Sequence, residues 1–277
     1  MIMKSDLSII VTLFKTPLDK LKTLNQYKKH PILIFDQATK NNSEHVSNAV
    51  NAEFEYFHSE INLGLSKSTN FLISKVKTKY FLFTQADIKI DEISIDGLIK
   101  GINLEKNIIF AGPVFTSNKN FNKKNELTKN YKIKSELDAS IMICDVEKVK
   151  QIGFFDEDYF LYWEDKDLMK RVNKSNFKMI QILNSFAIHD GGKSTLDSTR
   201  VKFIRRINYK YGELLFDLKH KKFRIIKILR QIFQNIFFLL LNLIALNKIK
   251  IIENISQILG IIKFIKFIFF KKNSKNV

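Results

Sequence analysis

The sequence is short of the residues that break or staple a chain: 277 positions hold one cysteine, three prolines, nine glycines and one tryptophan. A lone Cys144 excludes an internal disulfide framework and suits a reducing compartment. Its place in the apolar run Ser140-Ile-Met-Ile-Cys144 fits a small buried hydrophobe better than a nucleophile. So few glycines leave no phosphate-cradling loop of the dinucleotide type, since Asn62-Leu-Gly-Leu-Ser66 has one glycine where that fingerprint needs three. There is no internal repeat. A secretory leader is not expected either: Lys4 precedes the apolar run Leu7 to Leu13, but Asp6 interrupts the approach and no small-residue cleavage site follows. With 45% apolar residues the chain reads as globular, long enough for a full core and an appendage.

Acidic residues are nearly absent from one region. From Val201 to Val277 there are 17 Lys and Arg against 3 acids, a net of +14 out of the chain's +18. This divides the sequence into a near-neutral part, 1–200, and a basic helical tail, 201–277. Within the tail Ile232 to Leu246 is mostly apolar but is broken by Gln234, Asn235 and Asn242, and it is shorter than the roughly 20 residues of a spanning helix. Ile251, Ile252, Ile255, Ile258, Leu259 and Ile262 recur at helical spacing, and Phe264 to Lys272 interleaves Phe and Ile with Lys. A basic amphipathic helix with aromatic anchors is an interfacial membrane element, so residues 222–272 are expected on an anionic membrane surface. A helical subdomain packed on the core or on a second subunit is the alternative. Nucleic acid, which also takes basic residues mixed with aromatics, is not the expected partner, because long Ile/Leu/Phe runs suit lipid.

The rest alternates short β-rich runs with helix-compatible stretches, the pattern of an α/β sheet. Strands are expected at Leu7–Thr12, Ile32–Phe35, Phe54–Phe57, Tyr80–Phe83, Ile108–Ala111 and Ser140–Ile143, with closing pieces at Met179–Ile182 and Phe186–Ile188. Helices are expected from Leu18 to Tyr27, from an Asn42 or Ser43 cap to Val50, and over Ser66–Ser74, Ile93–Ile102, Val146–Ile152 and Glu164–Asn173. Thr116 to Lys134, polar and without periodicity, is expected to be a loop. Asp36, Asp87 and His189 each follow an apolar strand-like run, and ligands of open α/β sheets bind at the carboxyl ends of strands.

The segment Gly153 to Arg171 sets six acidic residues among six aromatics, with the single Trp163 directly before Glu164 and Asp165. Aromatic rings supply a stacking surface and a partly desolvated pocket, and a neighbouring carboxylate raises the pKa of a general base. The plainer reading is a surface turn followed by an amphipathic helix. Likewise Asp36 and Asp87 could close strand-end turns, His189 could be structural, and Glu164 and Asp167 could favour a helix N-terminus. For Asp167 that last reading is kept.

Taken in order, Ser8-Ile-Ile-Val-Thr12, Phe35-Asp36, Asn62-Leu-Gly-Leu with Asn70, Tyr80 to Asp87, Gly153 to Arg171 and His189-Asp-Gly-Gly-Lys-Ser194 resemble the family 2 glycosyltransferases, in particular the rhamnosyltransferase-like enzymes of bacterial surface polysaccharide synthesis. The resemblance implies a GT-A-type nucleotide-diphospho-sugar transferase fold, a Rossmann-like mixed sheet flanked by helices, followed here by the helical basic extension. It implies a nucleotide-diphosphate sugar donor, with Asp36 at the base or ribose, Asn62, Gly64 and Asn70 lining the same pocket and Thr12 at its floor. Asp87 and His189 match ligands of a divalent cation, Asp165 matches the catalytic base with Glu164 as its neighbour or substitute, and Trp163 and Tyr162 become candidates for the acceptor's stacking wall.

The implied enzyme is a metal-dependent, inverting hexosyltransferase, cytoplasmic and peripheral on the inner face of the cell membrane, acting on a lipid-linked or glycan acceptor. Mn²⁺ or Mg²⁺ would neutralise a leaving diphosphate, and an imidazole ligand favours Mn²⁺. Two departures stand out: Leu13-Phe14 follows Thr12 where the family usually has an aromatic and then Asn, and Gln85 occupies the first acidic position of the metal motif. Gln85 keeps a second reading in play, a catalytically silent, membrane-associated scaffold of the same fold.

Overall fold

The computed structural model describes residues 6–116, 130–189, 195 and 198–273. The chain divides into two compact units, Met1–Asp156 with Asp165–Leu196, and Glu157–Glu164 with Asp197–Val277. A short piece of the acidic-aromatic segment therefore belongs with the C-terminal residues.

The first unit is built on a nine-stranded sheet of β1 (Leu7–Leu13), β2 (Ile32–Asp36), β3 (Phe54–His58), β4 (Tyr80–Thr84), β5 (Ile88–Ile90), β6 (Ile108–Phe115), β7 (Tyr131–Lys134), β8 (Ile141–Asp145) and β9 (Lys178–His189). Their order is β3-β2-β1-β4-β8-β6-β9-β5, with β7 also on β9. Strands β1 to β4 are mutually parallel, β8 is antiparallel to both β4 and β6, and β6 is parallel to β9. Two reversals restore direction, so β9 ends at the same edge of the sheet as β1, β2 and β4.

Alternation decides which helices cover which face. Ile9 and Val11, Ile32 and Ile34, Tyr80 and Leu82, and Ile141 and Ile143 face one core. Ile10, Leu33 and Phe35, Phe81 and Phe83, and Met142 and Cys144 face the other. The first core is closed by α1 (Leu18–Leu21) with the 3₁₀ turn Lys22–Tyr27, by α2 (Ser43–Ala49) and by α4 (Glu92–Ile102). The second is closed by α3 (Leu65–Lys75), α5 (Val146–Ile152) and α6 (Glu164–Val172). Cys144 is wholly buried, and burial pushes its thiol pKa well up, as a packing residue requires.

Several elements differ from expectation. The end of the expected 116–134 loop is strand β7, paired antiparallel with β9; residues 117–129 lie outside the described ones. The two closing pieces are one strand, β9, whose register with β6 shifts at irregularities between Ile108 and Phe110 and between Gly112 and Val114. Asn42 occupies the N-cap position of α2, but its side chain does not cap the helix; it turns to Asp36.

The second unit contains α7 (Thr199–Lys219), α8 (Ile225–Ile244) and α9 (Lys248–Asn273). Tyr159, Tyr211, Leu214, Leu215, Ile228, Ile261 and Phe264 form its core. The apolar run of the tail is longer than expected: Ile225–Ile244 is one helix of 20 residues, long and apolar enough to cross a membrane by length and composition. Continuous helix extends it N-terminally through Lys227 and Arg230.

Candidate active site

Thr12, Asp36 and Thr84 stand level at the carboxyl edge of the parallel strands, since Leu13 is in register with Asp36 and Val11 with Thr84. Asp36 ends β2 and is buried. Its Oδ2 accepts from Asn42 Nδ2 at 3.0 Å and from the Tyr56 hydroxyl at 2.9 Å, while Tyr56 accepts from the Asn42 N–H at 3.1 Å. Burial first, and the Asp36 charge after it, push the Tyr56 pKa up to about 12, so the phenol stays protonated and donates. The ring of His58 stacks beside Tyr56, 6.5 Å away and nearly parallel to it. The residues that orient Asp36 carried no signal in the sequence.

Asn62 and Gly64 shape the entry to α3. Asn62 Oδ1 accepts from Gly64 N–H at 2.9 Å, and Gly64 is at φ +86°, a backbone that side chains beyond glycine rarely adopt. Asn70 sits a turn into α3 with its carboxamide turned to Phe155. Nδ2 donates to the Phe155 carbonyl at 2.8 Å and Oδ1 accepts from its N–H at 3.0 Å. It thus ties α3 to the start of the acidic-aromatic segment.

Asp87 follows β4 in the turn to β5. Side chains of the 3₁₀ turn hold that turn: Thr23 donates to the Ala86 carbonyl, and Gln26 both donates to the Ile88 carbonyl at 2.9 Å and accepts from the Ile90 N–H at 2.9 Å. β5 lies antiparallel to the end of β9, with Ile88 opposite His189. The result brings His189 Nε2 to 3.6 Å from Asp87 Oδ2, with the Asp87 side chain fully buried and that of His189 27% exposed. Phe115, from the end of β6, lies 6.0 Å from the imidazole.

Two donors on one small divalent cation at about 2.1 Å each stand about 3–4 Å apart, so the pair is spaced to share such an ion. Among the described residues no group of three or more His, Cys, Asp and Glu side chains gathers. Further ligands would therefore come from phosphate oxygens and water, a donor set that suits Mg²⁺ or Mn²⁺. The remainder of the sequence motif, 190–194, lies outside the described residues.

Asp165 is the second residue of α6, and its Oδ1 accepts from the Lys166 N–H at 2.8 Å. Burial raises its pKa; the Lys166 N–H and charge act against this, and the Asp138 carboxylate adds to it. Asp138 precedes β8, whose Ile141 is opposite Thr84, so it lies at the carboxyl edge of β4. The Leu137 N–H meets Met169 Sδ at 3.3 Å, which sets α6 beside the residues that lead into β8. Sequence reasoning missed Asp138, whose one signal was an acid immediately ahead of an apolar strand. Asp167, expected to favour the helix N-terminus, lies in the first turn of α6, and its buried carboxylate accepts from Arg171 Nε at 2.8 Å. Arg171 also donates to the carbonyls of Ile152 and Phe154. The helix that carries Asp165 is pinned by this pair to the turn that opens the segment.

The other half of the segment belongs to the second unit. Glu164 is buried. Tyr162 and Trp163 have φ of 70° and 73°, a left-handed backbone that costs bulky residues energy and persists only where the surroundings hold it. The hold is visible: Trp163 packs 5.6 Å from Tyr209 and 5.3 Å from Phe216, and Tyr162 lies edge-on to Tyr209 at 5.8 Å. Between them Gly212 leaves a notch, since a Cβ there would stand 2.8 Å from the indole and 2.9 Å from the Tyr162 carbonyl. The two rings proposed for an acceptor's stacking wall are thus engaged with α7. Burial raises the Tyr162 pKa, with Arg205 opposing and Glu164 reinforcing.

None of the curated proteins compared with the chain matches it by sequence. Among solved structures it resembles the mannosyltransferase PcManGT from Pyrobaculum calidifontis in complex with GDP-Man and Mn²⁺, at TM-score 0.56 and 11% identity, over 78% of this chain and 64% of that one. It also resembles GalNAc-T7 with UDP, GalNAc and Mn²⁺, at TM-score 0.54 and 12% identity, over 75% of this chain and 47% of that one. The chain thus spans less than two thirds of the length of either, and at such identities the likeness speaks to the fold, which is of the GT-A type. The model of glycosyl transferase family 2 matches residues 18–168, more than half of the sequence. By that match, and with the mixed sheet and its carboxyl edge as described, the chain belongs to glycosyl transferase family 2.

Proposed function

We propose that this protein transfers a hexose, with inversion, from a nucleotide-diphosphate donor to a lipid-linked or glycan acceptor of the cell surface, in the manner of rhamnosyltransferase-like enzymes, while bound to the inner face of the cell membrane. The observation that carries this reading is the Asp87–His189 pair at the sheet edge where Asp36 and Thr12 also stand. Asp36, preset by Tyr56 and Asn42, would receive the ribose or base, with Asn62 and Gly64 beside it. Asp87 and His189 would hold Mn²⁺ or Mg²⁺ on the donor's phosphates, where the ion neutralises the charge of the departing diphosphate.

Asp165 would serve as the base. The acceptor oxygen attacks the anomeric carbon, the bond from that carbon to the diphosphate breaks with its electron pair on the nucleotide, and the hydroxyl proton passes to Asp165. A carboxyl whose pKa is raised by burial is a better proton acceptor than an ordinary aspartate. Glu164 remains the alternative base, and Tyr162 and Trp163 would set the acceptor side through the backbone they hold. Turnover of a panel of nucleotide sugars with Mn²⁺ tests the reading: wild type consumes at least one donor, and folded Asp165→Asn loses that activity. Gln85, in place of an acid beside Asp87, favours the silent scaffold as the second reading, and a panel with no donor consumed would support it.

A further inference from the structure

Helix α8 is inside out for a protein in water. Most of its polar side chains turn inward within the second unit, Arg230 near its start being exposed. Asn242 Nδ2 donates to Asn254 Oδ1 of α9 at 3.2 Å, Asn254 Nδ2 reaches Asn235 Oδ1 at 3.4 Å, and Lys227 pairs with Glu213 at 3.0 Å and Asp217 at 2.6 Å on α7. The outward face instead presents Phe233, Ile236, Phe237, Leu240, Leu241 and Ile244, each 45% or more exposed, with Gln234 as the polar exception. The α9 stripe expected from the sequence is present but less open: Ile255, Leu259 and Ile262 are 37–41% exposed, and Ile251, Ile252 and Ile258 are half-buried. Ile261, Phe264, Ser256 and Gly260 of α9 are buried, and Gly260 meets Lys210 and the Ile207 carbonyl of α7.

We propose that the outward face of α8 seats in the acyl boundary of an anionic bilayer, the helix lying along the interface and not spanning it. The proposal rests on the membrane-bound reading above and identifies the element that makes the contact. The charge around the face selects this occupant. No acid occurs from Leu218 to Ile252, while exposed Lys221, Lys222, Arg224 and Arg230 stand at one end of the helix and exposed Lys248 and Lys250 at the other. Cations at both rims suit anionic headgroups. A second copy docked on the same face in either direction would set cations against cations. Spanning would carry α9 into the hydrocarbon with Lys250, Glu253, Lys263 and Lys266, and would strip it from α7, where Arg206 pairs with Glu253 and Lys263 donates to Asn208.

The experiment uses the full chain with vesicles of phosphatidylcholine alone and with one third phosphatidylglycerol. Wild type is expected to sediment with the anionic vesicles, Phe237→Asp/Leu241→Asp to lose at least tenfold in binding, and Arg230→Gln to lose about fivefold. Nitroxides on Phe233→Cys and Leu240→Cys, selective because Cys144 is buried, should show the same depth below the headgroups. Nucleoside diphosphate binding by the double variant should match wild type, which separates this proposal from the chemistry of the sheet edge. Wild-type failure to bind any vesicle overturns the membrane reading as a whole. Undiminished binding by the double variant, labels that stay in water, labels about 10 Å apart in depth as a spanning helix requires, or a dimer in solution that the double variant dissociates, each overturns the role of α8.

Discussion

His189 reaches Asp87 across the antiparallel pairing of β5 with the end of β9, which sets Ile88 opposite His189 and leaves Nε2 and Oδ2 3.6 Å apart. Residues 102 positions apart in the chain thus share one corner of the sheet. Because Asp87 is fully buried and His189 is the more exposed partner, the corner opens on the His189 side, where a diphosphate could complete a cation's coordination.

In the proposed reading both residues hold the donor's cation. Asp87→Ala and His189→Ala should each weaken Mn²⁺ binding by about 100-fold or more, a loss at least as large as that from disturbing a ligand's supporting partner. Titration calorimetry with Mn²⁺ in the presence of a nucleoside diphosphate reads this directly.

Asp165→Asn should lower turnover by about 10²–10⁴-fold, the contribution of a positioned base. Its effect on stability has the opposite sign. The folded pKa lies above the ordinary 3.8 because burial disfavours the charge, so the wild-type residue stabilises the fold most when protonated and loses that contribution as pH rises through the folded value. The neutral variant should melt about 2–4 °C above wild type at pH 7, with the gap closing below pH 4. Calorimetry at the two pH values checks the sign. In wild type the acidic limb of the rate profile should sit above the ordinary aspartate range.

Arg171→Ala should cost about 3 kcal/mol, since it leaves the buried Asp167 charge without its guanidinium and releases the Ile152 and Phe154 carbonyls. Denaturant unfolding followed in the first unit measures it. Arg171→Lys should recover only part of the loss, because an ammonium cannot serve the same fork of acceptors.

Tyr56→Phe removes one of the two donors on Asp36 Oδ2. If Asp36 receives the nucleotide's ribose or base, the less oriented carboxylate should bind nucleoside diphosphate about tenfold more weakly, with Mn²⁺ affinity unchanged. Both follow from one calorimetric series.

The strands buried on both faces were legible because their apolar runs are continuous, as at Ile32–Phe35 and Tyr80–Phe83. β5 and β7 were not. β5 is three residues long, and β7 is a mostly exposed strand ending an Asn/Lys-rich stretch that has no alternation to read. β9 looked broken at Leu183-Asn-Ser185, yet Ser185 is buried where Gly97 of α4 leaves room for it, and the Phe186 N–H donates to Ser94 of the same helix. Asp36, Asp87 and His189 were legible as strand-end residues. Their supports were not, because Tyr56, Asn42, Thr23 and Gln26 act through tertiary geometry. Trp163 looked like an open stacking surface because sequence shows its acidic neighbours but not the notch at Gly212, although Tyr209, Gly212 and Phe216 do share one helical face.

The central claim is a nucleotide-sugar site built on Asp87 and His189. A thermal-shift panel of nucleoside diphosphates with and without Mn²⁺, run on wild type, Asp87→Ala and His189→Ala, tests it most directly. At least one diphosphate should stabilise wild type only with Mn²⁺ and neither variant under either condition. A wild type unmoved by every diphosphate, or variants that shift as far as wild type, would contradict it.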